Sequence, residues 1–295
     1  MLHPRAFKVT VVWTLALLFL GSVVHATESS LACPDWPTCF GTMVPEMTGG
    51  VFWEHLHRLV AGGLVLMFVL ATWLVRREVT DRPWMFKACL AGITLLLVQS
   101  VVGGLTVIYQ LPDMVSTTHL SLAFLFLSLA TFLAASTHRR APEETIEISA
   151  SVAASLRLWA AVGAGFIFLQ SALGALVRHT DGGIACPDFP LCLGRVIPPL
   201  INIQITSHFF HRVFALLATL LVIGIALWVM RQEVPGIFRR LAWSAVALVV
   251  AQVALGVTSV LTILAVPPVT LHTLVAAALL ANLVTLSTLA GRAWT

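Results

Sequence analysis

Residues 32–39 read ACPDWPTC, and residues 185–192 read ACPDFPLC. The second stretch follows the first by 153 positions (33 to 186). Each copy is followed by a His-Arg pair and later by a lone histidine in an apolar run, which are His57-Arg58 and His119 in the first copy and His211-Arg212 and His272 in the second. Because these residues recur at offsets of 153 or 154, the sequence predicts two duplicated halves.

The regions around both stretches are apolar over long distances. The chain is 59% hydrophobic and 10% charged, whereas soluble proteins carry about 25% charged residues. Eight runs reach the roughly 20 residues that a transmembrane helix needs, at about 7–27, 51–75, 86–110, 115–137, 155–178, 205–230, 237–262 and 266–290. The first run is basic and then apolar like a signal peptide, but its length and its counterpart in the second half favour a retained helix. We therefore expect an all-α integral membrane protein, with eight transmembrane helices in two pseudo-symmetric four-helix bundles.

The distribution of lysine and arginine predicts the orientation in the membrane. Most of these residues lie in alternate connecting segments, and the opposite segments hold few. By the positive-inside rule both termini are cytoplasmic, and the Cys-containing loops at about 28–50 and 179–204 lie outside. The absence of a transit-peptide composition favours a prokaryotic plasma membrane. The basic residues are spread over loops, so the net charge of +4 does not indicate nucleic-acid binding.

The chain divides at one polar segment. We predict an N-terminal four-helix half at 1–137, a cytoplasmic linker at 138–154, and a C-terminal four-helix half at 155–295. The oligomeric state stays open, because lipid-facing and partner-facing apolar surfaces look alike in sequence.

Four of the five cysteines form two Cys-x5-Cys pairs in the outer loops. Outside the cytoplasm such pairs form persistent disulfides. A redox-active pair that passes electrons or helps to load a cofactor is the second interpretation. A zinc site fits this spacing poorly. Cys89, in the third apolar run, is expected to be a small buried hydrophobe.

Four of the ten histidines fall inside apolar runs at matched depth, namely His57, His119, His211 and His272. A polar side chain in hydrocarbon is costly and marks function by default. Two imidazoles from facing helices suit the two axial positions of a heme iron. We therefore predict two bis-histidine heme sites, one in each half. Small residues such as Gly103 would let the helices approach closely or leave room for a flat macrocycle.

The two halves differ three residues before the His-Arg pair, where Glu54 corresponds to His208. Glu54 would lie one helical turn from His57, where it could act as a base, stabilise positive charge or simply pair with Arg58. Arg58 and Arg212 either bind propionates or extend to the interface. His55 and His208 either handle protons or are interfacial side chains.

The residues alone admit more than one function. A non-enzymatic diheme electron carrier of the cytochrome b type fits the histidine pairs equally well, but it needs no carboxylate at Glu54. A heme exporter or chaperone would need an exchangeable heme. An enzyme acting on a heme explains why the otherwise symmetric halves differ at Glu54.

With its eight runs, its duplicated Cys loops and the Glu54-x-x-His57-Arg58, Thr118-His119, His211-Arg212 and Leu271-His272 motifs, the chain resembles the heme A synthases over nearly its whole length. The resemblance implies an oxidoreductase that converts a ring methyl group of heme O to the formyl group of heme A, through successive hydroxylations, for terminal oxidases. It implies heme O as the substrate in the first half and heme b as the cofactor in the second.

The resemblance also implies roles for individual residues. His57 and His119 would bind the heme O iron, His211 and His272 the heme b iron, and Glu54 would be the catalytic carboxylate. Cys33–Cys39 would be the outer-loop disulfide of the family, and Cys186–Cys192 a second pair that only some members carry. His25 stands where the family would have an arginine. A heme O synthase, terminal oxidase assembly factors and an unidentified electron donor are the partners implied.

Overall fold

The computed structural model describes residues 1–137 and 148–292. Within these ranges the chain forms eight helices that are long and apolar enough to cross a membrane. They are α1 His3–Ala26, α2 Gly49–Glu78, α3 Pro83–Ile108, α4 Asp113–Ser136, α5 Ala150–His179, α6 Ile203–Met230, α7 Gly236–Leu261 and α8 Val266–Arg292. The eight predicted spans are confirmed, and the described ranges contain no β-strand beyond isolated bridges.

Several helix ends differ from the apolar runs because local capping, rather than hydropathy, sets them. α5 begins at Ala150, five residues before its predicted start, where the Ser149 hydroxyl accepts a hydrogen bond from the Val152 N–H. The side chain of Asn202 caps α6 in the same way. Residues 148–154 of the predicted linker therefore contain the first turn of α5, and residues 138–147 lie outside the described ranges.

Each half has the same set of neighbouring helices. In the first half α1 packs against α2 and α4, and α3 packs against α2 and α4. In the second half α5 packs against α6 and α8, and α7 packs against α6 and α8. The halves meet through α1 with α8, α4 with α5, and α4 with α8. The helices that carry the candidate histidines are thus held by neighbours on several sides.

Two buried clusters form the core. In the first half Phe68 packs edge-on against Phe126, with ring centres 5.1 Å apart, and the fully buried Cys89 belongs to the same cluster. The second cluster lies mainly in the C-terminal half but also includes Leu18 and Leu127 of the first half. The interface between the halves is therefore part of the packed interior.

The connecting turns repeat along the chain. Five pairs of residues with positive φ are separated by 153 positions, and they are Glu28 and Asp181, Phe40 and Leu193, Gly41 and Gly194, Gln110 and Ile263, and Leu111 and Leu264. Only one of these pairs is glycine, so the backbone at the other positions takes a conformation that most side chains disfavour. The same turn geometry is thus built twice from different residues.

Candidate functional site

Both Cys loops are small closed structures. The Cα atoms of Cys33 and Cys39 are 4.8 Å apart and those of Cys186 and Cys192 are 4.6 Å apart, and the sulfurs of each pair lie at disulfide distance. Each loop also contains a cis X-Pro bond, at Trp36–Pro37 and Phe189–Pro190. The single cysteine outside these pairs in the described ranges is the buried Cys89.

An aspartate organises the interior of each loop. The Asp35 carboxylate accepts hydrogen bonds from the Thr38 hydroxyl and from the N–H groups of Phe40 and Gly41, the latter two at 2.6 and 2.9 Å. These bonds, that of Thr38 above all, lower the pKa of Asp35. The Asp188 carboxylate accepts from Leu193 and Gly194 at 2.7 and 2.8 Å, and these bonds lower its pKa as well. Both aspartates therefore stabilise their loops as carboxylates.

The arginine of each His-Arg pair attaches the Cys loop to the helix that carries the pair. Each guanidinium donates from Nη1 to two loop carbonyls, those of Asp35 and Thr38 for Arg58 (2.8 and 2.6 Å) and those of Asp188 and Leu191 for Arg212 (2.7 and 2.6 Å). The sequence suggested propionate contacts or interfacial positions for these arginines, and their contacts with the loop carbonyls were not predicted. The planar, multi-donor guanidinium suits two converging carbonyls better than an ammonium would.

The two halves differ in the group that the other guanidinium nitrogen, Nη2, contacts. In the first half Arg58 Nη2 donates to Glu54 Oε1 at 2.6 Å, and Glu54 Oε2 accepts from the Cys33 N–H at 2.8 Å. Glu54 is only 4% exposed, so this carboxylate is buried against the Cys loop. In the second half Arg212 Nη2 donates to the Cys186 carbonyl. His208 Nδ1 instead lies 2.8 Å from the Gly182 carbonyl oxygen.

The four candidate ligand histidines occupy matched positions. His57 and His211 each lie eight residues after the first residue of their helix, and His119 and His272 lie six residues after theirs. These separations correspond to about 12 Å and 9 Å of helix. In the second half the ring centres of His211 and His272 are 6.4 Å apart, and the ring planes meet edge-on at 67°.

That separation fits a shared metal ion. An imidazole nitrogen lies about 2.0–2.1 Å from a first-row metal and the ring centre about 1 Å further, so two rings on opposite sides of one ion have centres about 6–6.5 Å apart. The distance between the ring centres of His211 and His272 is therefore of the size expected for two imidazoles that would share one heme iron.

Each of these imidazoles lies against a glycine of a neighbouring helix. A Cβ added to that glycine would be 2.7–3.0 Å from the histidine Cε1 atom, and the four pairs are Gly21 and His57, Gly103 and His119, Gly174 and His211, and Gly256 and His272. Atoms this close would force the ring to move. The glycines of α1 and α5 were missed by sequence reasoning, although their spacing of 153 makes them detectable as part of the repeat.

Glutamine side chains accompany the histidines of the second half. Gln170 Nε2 lies 3.0 Å from His211 Nδ1, and Gln252 Nε2 lies 3.1 Å from His272 Nε2. In the first half the buried Nδ1 atom of His57 has no hydrogen-bonding partner among the described residues. Buried polar atoms are rarely left unpaired, so the position of His57 fits a site completed by a bound group.

His55 is brought to the first Cys loop. Its side chain is 3% exposed, and one of its ring nitrogens lies within 4.8 Å of the sulfurs of Cys33 and Cys39. The two cysteines could bind a metal ion only as thiolates. Their sulfurs lie at disulfide distance from each other, so this group does not fit a metal site. Phe209 stands at the corresponding position of the second half.

The structure also brings together two histidines from the ends of α1 and α5. His25 Nε2 of α1 lies 3.2 Å from His179 Nδ1 of α5, so these side chains meet between the halves. Beside them Arg178 Nη2 donates to the Ser22 carbonyl at 3.4 Å. His25, which stands in place of the arginine expected from the resemblance, thus contacts the opposite half.

Residues 46–284 match a family model described as cytochrome oxidase assembly protein, COX15-CtaA. A protein named heme A synthase from Symbiobacterium thermophilum is 34% identical over 84% of this chain and 81% of its own length. One of the same name from Halalkalibacterium halodurans is 30% identical over 86% and 85%. A third, from Shewanella oneidensis, is 27% identical over 95% and 94%. The similarity therefore extends over both halves and both candidate sites.

Proposed function

The chain belongs to the COX15-CtaA family of cytochrome oxidase assembly proteins, and we propose from this premise that it is a heme A synthase, which oxidises a ring methyl group of heme O to the formyl group of heme A. Its relatives of that name align with most of the chain. They do not favour the alternative of a non-enzymatic diheme carrier. In reaction class the protein is a heme-dependent oxidoreductase.

The observation that carries this proposal is the difference between Glu54 and His208. The two halves share their loop geometry and the arginine contacts to loop carbonyls. Among residues 1–137 and 148–292, the one buried carboxylate is that of Glu54, and it lies one turn before a candidate iron ligand. A site that oxidises its substrate needs a catalytic group such as this carboxylate, whereas a heme that only transfers electrons does not. We therefore place the reaction in the first half.

In the first half His57 and His119 bind the iron of heme O and orient its ring. The contacts with Gly21 and Gly103 support this role because they restrict where each imidazole can lie. The unpartnered Nδ1 atom of His57 also supports it.

In the second half His211 and His272 hold heme b as a permanent cofactor. The ring separation of 6.4 Å supports this assignment, and Gln170 and Gln252 restrict the orientation of the rings. When bound, heme b supplies one-electron redox chemistry to the site.

Glu54 is the catalytic carboxylate. Arg58 Nη2 and the Cys33 N–H each donate to one of its two oxygens, so its orientation is determined by two different elements. From this position it accepts a proton or stabilises positive charge that develops at the reacting methyl group. Its burial excludes most water from the same place.

Arg58 and Arg212 hold the loops and contact the propionates. Each guanidinium donates three hydrogen bonds to groups of its own half. Arginine carries five N–H groups, so two remain on each side chain. The remaining donors would be available for a heme propionate. His208 positions the turn at Gly182, and His55 packs beside the first Cys pair.

The protein is a multi-pass membrane protein, and we place it in the prokaryotic plasma membrane with both termini in the cytoplasm. The arrangement of lysine and arginine supports this orientation. It puts both Cys loops, with their disulfides, on the outer face. The repeated helix pairings and repeated turns support two pseudo-symmetric halves at 1–137 and 155–295.

The partners follow from the reaction. A heme O synthase supplies the substrate, terminal oxidase assembly factors receive the product, and an electron donor not yet identified serves the heme b site. Bilayer lipid surrounds the apolar helices. A homo-oligomer is compatible with the exposed apolar surface.

Co-expression with a heme O synthase in a host that makes no heme A tests the proposal. Heme extraction and chromatography should detect heme A with the unaltered chain. Glu54→Ala should retain heme b and make no heme A, while the matched change His208→Ala in the second half should preserve conversion. A folded, heme-loaded chain that never yields heme A would refute the synthase function, and retained conversion in Glu54→Ala would remove this residue from the reaction.

A further inference from the structure

The helices α1 and α5 present different side chains to the histidines of the His-Arg pairs. On α5, Gln170 and Gly174 are four residues apart and share one helical face, and both lie against His211. On α1 the equivalent positions, 153 residues earlier, are Leu17 and Gly21. The glycine is thus present in both halves, whereas the glutamine is replaced by an apolar side chain in the first.

Gln170 holds the ring of His211 relative to the backbone of the same residue. Its amide nitrogen donates a 2.9 Å hydrogen bond to the His211 carbonyl and lies 3.0 Å from Nδ1 of the ring. Because one side chain contacts both the backbone and the ring, the ring cannot turn without breaking a contact. An amide carries a donor and an acceptor, so it can pair with Nδ1 in either protonation state.

His57 lacks a contact of this kind. Its Nδ1 atom is buried and has no hydrogen-bonding partner in the part of the chain that the structure describes. Leu17 instead packs against the first-half buried cluster, which includes Leu64 of α2. A leucine side chain offers no hydrogen bond, so the contact from α1 that restricts the His57 ring is the one with Gly21.

The opposite candidate ligands do not show this difference. In the second half Gln252 Nε2 lies 3.1 Å from His272 Nε2, and the Gln252 carbonyl oxygen lies 3.0 Å from His272 Nδ1. Gln99 stands at the equivalent position of α3, 153 residues earlier. The two halves therefore share this glutamine, and the asymmetry lies at Leu17 and Gln170.

We propose that Gln170 makes the second site retain its heme, and that Leu17 leaves the first site able to exchange heme. The inference rests on the proposed function, in which the first half takes up heme O and releases heme A while the second half keeps heme b. A ring held in the ligating position rebinds the iron after a transient break, whereas a ring that turns away lets the heme leave. Groups that hold a ligand histidine typically change metal affinity by about 10–100-fold. Gln170 is thus a positioning residue that acts through His211.

The test follows heme loss from the full-length protein, purified with heme b and loaded with heme O. It is done without oxygen and without a reductant, so that no substrate is oxidised. Excess serum albumin captures the released heme, and chromatography separates heme O from heme b. Gln170→Leu should accelerate the loss of heme b about tenfold, and Leu17→Gln should slow the loss of heme O about tenfold. Each single variant should leave the heme of the other half unchanged.

The double exchange, Leu17→Gln with Gln170→Leu, keeps the amino-acid composition and should reverse the order in which the two hemes are lost. General destabilisation would accelerate the loss of both hemes, so opposite changes in the two halves distinguish positioning from a merely structural role. Val12→Gln adds an amide to the exposed surface of α1 and is the matched control. It should change neither rate.

Unchanged heme b loss in Gln170→Leu would overturn the inference, as would faster loss of both hemes in the double exchange. If Gln170→Leu is recovered without heme, Leu17→Gln decides, because its retained heme b reports that it is folded. An unchanged rate of heme O loss in that variant would then refute the inference. The heme b measurements need neither heme O nor turnover, whereas the proposed function fails if the unaltered chain makes no heme A, so the two failures are distinguishable.

Discussion

Arg58 Nη2 donates a 2.6 Å hydrogen bond to Glu54 Oε1, in an ion pair whose side chains are 14% and 6% exposed. The same guanidinium holds two carbonyls of the first Cys loop. The candidate catalytic carboxylate and the outer loop are therefore attached to one side chain. A disturbance of the loop should reach Glu54 through Arg58.

This arrangement predicts unequal costs for removing the two arginines. Arg58→Ala should destabilise the protein by roughly 3 kcal/mol or more, because it leaves the buried Glu54 carboxylate without its cation. Arg212→Ala loses similar loop contacts but leaves no buried carboxylate without a cation, so its cost should be smaller. Thermal unfolding in detergent measures both. A larger loss for Arg212→Ala would contradict the role assigned to the ion pair.

The glycine contacts predict that a single methyl group can displace a candidate ligand. Gly174→Ala would place its Cβ about 2.9 Å from His211 Cε1, a strain of about 1–3 kcal/mol that moving the ring would relieve. We expect loss of the second-half heme, measured as heme b per chain and as a change in the heme absorbance spectrum. Gly165→Ala on the same helix meets nothing within 4 Å and serves as the control. Equal heme content in the two variants would show that this contact does not position His211.

The aspartates predict an acid-dependent loss of loop stability. Hydrogen bonds hold the pKa of Asp35 and of Asp188 below the usual 3.8. Because the folded pKa is depressed, the stabilisation is present above about pH 4 and is lost as the pH falls through the lowered value. The unfolding midpoint should therefore drop on acidification below about pH 4. Asp35→Asn should flatten this dependence, and a variant with the same pH profile as the unaltered chain would refute the assignment.

The cysteine pairs predict a thiol count that changes with reduction. The chain has five cysteines, and the sulfurs of four lie at disulfide distance. The denatured, unreduced protein should label once, at Cys89, and five times after reduction. Cys89→Ala should lower each count by one, and Cys33→Ser should raise the unreduced count to two by freeing Cys39. Three labelled thiols in the unreduced chain would show that one pair is open.

The family resemblance and the eight membrane spans predicted from the sequence are both confirmed. Both could be predicted because they depend on local information in the sequence. An apolar run of sufficient length must form a helix in lipid whatever its neighbours are. The recurrence of His57 as His211 and of His119 as His272 can likewise be read by comparing positions. The orientation in the membrane and the roles of the site residues stay predictions.

The amino-acid sequence by itself determined the number of helices, the duplication, the Cys pairs and the position where Glu54 replaces His208. The tertiary structure alone decided that Arg58 joins Glu54 to the Cys loop, that His25 meets His179 across the halves, and that glycines face the four histidines. These contacts depend on how each helix is rotated about its own axis. In a bilayer the lipid-facing and packed faces of a helix are both apolar, so hydropathy does not reveal that rotation and only the assembled packing fixes it.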